Sequence, residues 1–187
     1  MEQDYWDVDD ILAENQRLPC TFKIDVPGLG YLEEAGEPDI QQHARLELPF
    51  WLARLLAVYD IIAIQQPRAY GPRVRAALDA SAPAVRLRDL VPYWYAMALR
   101  LANLLESNDM HEWLERTYLA RVPRIFELSV LLGRSSSASD AIAAARTEDT
   151  GGITVEMQEF LQGLDESEVL LLQAAQTASR TMQEYLM

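Results

Sequence analysis

The 187-residue chain holds one cysteine, Cys20, so no disulfide can close within it and a reducing compartment is the expected home. Lysine is equally scarce, with Lys23 alone, and 16 cations face 29 carboxylates. The resulting net charge of -13 repels a phosphate backbone and excludes general nucleic-acid binding by the surface as a whole. Histidine is limited to His43 and His111, far apart and without a recognisable metal-ligand motif around either. Long hydrophobic runs are missing too. "VPYWYAMALRLANLL" is interrupted by Arg100 and Asn103 and falls short of the roughly 20 residues that span a bilayer, so no membrane partner is expected. An export leader needs positive charge ahead of an apolar stretch; Asp4, Asp7, Asp9 and Asp10 stand there instead, and no export signal is expected. No internal repeat of the solenoid kind occurs.

Half the residues are hydrophobic, enough for a packed core, and they are patterned. Cys20, Phe22, Ile24 and Val26 alternate with Thr21, Lys23 and Asp25, which predicts a strand over 20–26. "ARLEL" repeats the alternation, with Ala44, Leu46 and Leu48 on one side, and "DIIAIQQP" adds a third strand ended by Pro67. Tyr31 and Leu32 suit a further short one. Between the second and third, "LPFWLARLLAVY" sets Leu52, Leu55, Leu56 and Tyr59 at helical spacing after a proline, a helix for the sheet to pack on. "DVDDILAEN" predicts a short acidic helix ending near Asn15.

From Gly71 the pattern is helical, starting at a Gly-Pro pair. Tyr93 to Leu105 is apolar nearly all round. Asp109 and Glu112 have the spacing of a capping box, which predicts a helix start at Asp109 or Met110, and Pro123 predicts a kink further along it. "GRSSSASDAIAAARTEDTGG" reads as a flexible connection at about 134–152 with one helical turn over 141–145, and a long helix follows from Thr154 to about Leu186, weakened at Gly163. The expected fold class is α+β, mainly α: a small β-rich domain with one packed helix over 1–67, then an α-helical bundle domain over 68–187.

Candidate chemistry is thin. A dinucleotide loop needs G-x-G-x-x-G opening a helix; after Gly28 and Gly30 the third position is Glu33 in an acidic, extended stretch. Pro27, Gly28 and Gly30 instead suit a fold-forming turn. Cys20 sits on the apolar phase of its strand, as a core residue does. Ser135, Ser136 and Ser137 lack a nucleophile elbow. Arg116, Arg121 and Arg124, near Trp113 and Tyr118, have the composition of a single-strand binding site but no sheet of stacking aromatics, and solvated helix faces or local salt bridges are the commoner reading of such a set. Catalytic, cofactor-binding and metal residues are therefore all read as none. What remains is a surplus of apolar helix surface, which singles out Tyr93, Trp94, Leu101, Leu105, Leu119, Phe126 and Leu128 as a candidate partner interface.

Three stretches, "YWDVDDILAENQRLPCTFKIDVPGLGYLEEAG", "ARLELPFWLARLLA" and "RVRAALDASAPAVRLRDLVPYWYAMALRLANLLES", resemble subunit 3 of the GINS complex of eukaryotic DNA replication. The resemblance implies a β-rich domain ahead of a helical one and an obligate heterotetramer with the three other GINS subunits. It further implies that this assembly joins the MCM ring and a RecJ-like co-activator in the replicative CMG helicase, in the nucleus. There the MCM motor hydrolyses ATP and meets DNA. This chain would be a scaffold with no cofactor, no small-molecule substrate and only indirect contact with DNA. Gly28, Gly30 and Trp51 match the family pattern and are read as fold-forming. The alternative from another class, a small nucleotide-binding protein or enzyme, rests only on the strand before Gly-Leu-Gly.

Overall fold

Leu18, Cys20 and Phe22 alternate with Arg17, Pro19 and Thr21, and the buried set builds the central strand of a three-stranded antiparallel sheet. The computed structural model describes residues 6–30, 39–132 and 155–186, and the chain divides into two compact units, Met1–Gly71 and Pro72–Met187. The expected features at Tyr31 and Leu32 and over 134–152 lie outside the described residues.

In the first unit α1 (Val8–Glu14) is capped by Asp7, whose carboxylate accepts from the amide of Asp9 at 3.0 Å. It is followed by β1 (Arg17–Phe22), β2 (Arg45–Pro49), α2 (Phe50–Val58) and β3 (Ile62–Ile64), in the sheet order β2-β1-β3. The central strand starts three residues before the expected 20–26 and stops at Phe22. Beyond it Ile24 is half exposed, and Val26 forms only an isolated bridge with Ile40. A proline within a central strand is unusual. Pro19 is tolerated because the last ladder pair to β3 is Cys20 with Ile64; one step further, the Pro19 carbonyl accepts from Gln65 at 2.8 Å and no amide is needed in return. Leu18 pairs with Leu48, Cys20 with Leu46 and Phe22 with Ile62, so the apolar side chains share one face. α2 packs against all three strands, burying Phe50 and Ala53.

The second unit comprises α3 (Pro72–Ser81), α4 (Leu87–Leu90), α5 (Trp94–Leu104), α6 (Asn108–Leu132), α7 (Val155–Gln162) and α8 (Glu166–Leu186). α6 runs through Pro123 as one helix of 25 residues. Its first turn is capped by Ser107, whose hydroxyl accepts from Met110 at 3.4 Å, so the expected capping box of Asp109 with Glu112 does not form. Asp109 is drawn off by Arg75, 2.7 Å away. The expected long C-terminal helix is two helices, because the break after Gln162 lets Gly163 approach the backbone of Arg86: a Cβ at 163 would lie 2.8 Å from the Arg86 Cα. The capping box sits at that break. Asp165 accepts from the Ser167 amide at 3.4 Å, and Glu168 reaches back to the Asp165 amide at 3.1 Å.

Two clusters fill this unit. Ile125, Leu128 and Leu132 of α6 meet Phe160 and Leu161 of α7 with Leu164, Val169 and Leu172. Trp94 lies edge-on to both Tyr95 and Trp113, with ring centres 5.0 and 5.5 Å apart.

Candidate functional site

Among the described residues, Gly28, Cys20 and His111 are engaged in structure. Gly28 takes φ of 78°, and its amide donates to the carboxylate of Asp39 at 2.9 Å, so the group a phosphate would need already holds an anion. Gly30 is buried. Cys20 is buried in β1, and that burial pushes its thiol up to about 11, leaving no thiolate at neutral pH. His111 pairs with the Asn103 side chain at 2.9 Å, while His43 is exposed on a left-handed turn in the other unit. Among the described residues no three His, Cys, Asp or Glu side chains are grouped to hold a metal ion, and no helix is long and apolar enough to cross a membrane.

The arginine trio separates. Arg116 pairs with Asp79 at 3.0 Å and Arg124 with Glu127 at 2.8 Å, both at the surface. Arg121 is fully buried, with no face to offer a nucleic acid. Its Nε and Nη2 donate to Oε1 and Oε2 of Glu168 at 2.6 and 3.0 Å, and its Nη1 donates to the carbonyls of Ala82 and Val85. Its guanidinium also stacks over Phe160, 4.8 Å from the ring centre. Glu168 further accepts from the Tyr95 hydroxyl at 3.2 Å, and burial together with the Glu168 charge pushes that phenol well up. Asp165 accepts from the Trp94 amide at 2.7 Å. This matters because Tyr93, the residue ahead of α5, is left-handed with φ of 55° and has no side chain suited to capping. One ion pair therefore ties the α3–α4 connection, α5, α6 and the start of α8 together, with all three guanidinium nitrogens and both carboxylate oxygens hydrogen-bonded. It is a structural lock.

The candidate interface residues fall into two groups. Trp94, Leu101 and Leu128 are interior, with no exposed surface, and so belong to the core of their own unit. Tyr93 is half-buried. Leu105, Leu119 and Phe126 are exposed, the latter two by 59% and 63%. Leu119, Pro123, Phe126 and Val130 recur at intervals of four, three and four, so they form one outward ridge along α6. Val130 is a member the sequence did not single out. A second ridge was missed altogether. On α2 Trp51, Leu55 and Val58 face outward, as does Tyr59 at its end, whereas the sequence reading assigned Leu55 and Tyr59 to the packed face and Trp51 to the fold. The helix "FWLARLLAV" is apolar at every position but Arg54, so periodicity cannot tell its inner face from its outer one.

Residues 6–58 match the family model described as the PSF3 N-terminal domain. A protein of Phaeosphaeria nodorum named DNA replication complex GINS protein PSF3 is 33% identical over 188 residues, covering 97% of this chain and 95% of that one. Its namesake in Aspergillus fumigatus is 34% identical over 182 residues, with 94% and 92% covered. That of Schizosaccharomyces pombe is 29% identical over 179 residues, with 96% and 95% covered.

Proposed function

This chain belongs to the PSF3 family of DNA replication complex GINS proteins, and from that premise we propose that it is a non-catalytic scaffold subunit of the GINS heterotetramer. The observation that carries the reading is the α6 ridge. Ile125, Leu128 and Leu132 already fill a core on one side of the helix, yet Leu119, Phe126 and Val130 remain uncovered on another. A monomer rarely leaves such a contiguous apolar strip in water, and a subunit interface supplies the cover. The three sister subunits are the partners expected there. At the next level the tetramer joins the MCM ring and the RecJ-like co-activator in the nucleus, and the motor alone turns over ATP. The acidic surface fits contact with proteins and an indirect relation to DNA.

The test is expression alone against coexpression with the three sisters. Alone, the chain is expected to aggregate; together, the four are expected to elute as one species of equal stoichiometry. A monodisperse monomer that melts cooperatively overturns the reading.

A further inference from the structure

We propose that the outer face of α2, formed by Trp51, Arg54, Leu55 and Val58, seats an amphipathic helix of another protein chain that places an Asp or Glu against Arg54. These positions are spaced three, four and seven apart, so they form one face about two turns long. Trp51, Leu55 and Val58 are 54%, 52% and 71% exposed. A helix apolar on every side is ordinarily enclosed; here the strands cover only the face of Phe50 and Ala53. The remaining ridge offers the anchors that helix-in-groove recognition uses, an aromatic at one end and branched aliphatics a turn apart.

Arg54 decides the chemistry of the occupant. It is exposed and lies in the middle of the ridge, and its side chain makes no hydrogen bond or ion pair with the other described residues, in a chain whose carboxylates outnumber its cations by 29 to 16. A docked apolar surface without an acceptor would desolvate that guanidinium unpaired, which is strongly unfavourable. A carboxylate opposite turns the same contact into a charge-assisted, bidentate one. The central position also argues against a second copy of this chain. A two-fold axis through the ridge would bring the two Arg54 side chains face to face.

The proposal rests on the subunit reading in one respect only, that the partner is sought within the four-subunit complex. The experiment uses that complex, coexpressed, with a photo-crosslinking residue in place of Leu55. The expected product is a crosslink to one helical segment of another chain that contains an acidic residue. Arg54→Glu is expected to reduce its yield about tenfold, and reversing the crosslinked carboxylate to arginine to restore it. Arg54→Glu is also expected to leave the helical circular dichroism of the complex unchanged, which separates loss of docking from loss of fold. The proposal is overturned if the complex assembles but position 55 crosslinks to nothing, to another copy of this chain or to a segment without an acid, or if Arg54→Glu leaves the yield unchanged. Those outcomes leave the subunit reading standing. If the unaltered chain fails to assemble with its sisters, that reading falls and the docking proposal falls with it.

Discussion

Gly163 shows how one hydrogen atom in place of a methyl group can set a fold. In an isolated helix Gly→Ala stabilises by about 1 kcal/mol. Here the added Cβ would meet the Arg86 backbone at 2.8 Å, so Gly163→Ala is expected to destabilise by about 1–3 kcal/mol in a denaturant titration of the complex. Glu106 presents the opposite case. It is left-handed at φ of 49° just past α5, while the Glu106 amide bonds the Asn103 carbonyl and the Ser107 amide bonds that of Ala102, the paired pattern of a Schellman cap. Asp60 closes α2 in the same way, through Ala57 and Leu56, and is further held by an ion pair with Lys23. Glu106→Gly relieves the torsion without removing such a pair, and is expected to raise stability by about 1 kcal/mol. Neither cap was legible beforehand, since the usual glycine is missing from both. Cys20 is expected to resist iodoacetamide at pH 8 in the folded chain and to react once unfolded. Its thiol is raised from 9.0 to about 11, so its contribution to stability is whole below pH 9 and is lost as pH rises through 11.

Between helices, the decisive contact is Arg121 with Glu168, both without exposed side-chain surface. Glu168→Gln leaves a buried guanidinium facing a neutral amide and is expected to cost about 3–5 kcal/mol. Arg121→Met with Glu168→Leu is expected to lose less than the sum of the two single changes, by about 1–3 kcal/mol, and a double-mutant cycle measures the difference. By contrast Phe126→Ser touches only the outer ridge of α6. It is expected to change the stability of the fold by less than about 0.5 kcal/mol while sharply reducing recovery of the four-subunit complex. The sequence found Leu119 and Phe126 of that ridge but grouped Leu128 with them, because α6 is apolar on two sides and one of them lines the core through Ile125, Leu128 and Leu132. α2 carries almost no polar residues, and its two faces could be told apart only once the sheet was in place beneath it.

The order of parts, strands and one helix before a bundle, follows from the change of apolar period near Gly71, and the uncovered hydrophobic surplus follows from composition and spacing. Both are local properties that a single chain displays in its residue order. Which apolar side chains are uncovered is a different matter, since Trp94, Leu101 and Leu128 look no different in the sequence from Leu105, Leu119 and Phe126. A periodic pattern marks a face as apolar but does not say how many neighbours the fold will bring to it. The same holds for charge. Arg116, Arg121 and Arg124 occupy one helix within nine positions, yet Arg121 is enclosed because Glu168, 47 residues away, happens to arrive with the Ala82 carbonyl. Fold class and family were thus written in short-range order, whereas the break at Gly163 depends on Arg86, far away in sequence. The choice between core and interface was made by contacts distant in sequence, where burial is a property of packing and not of the residue.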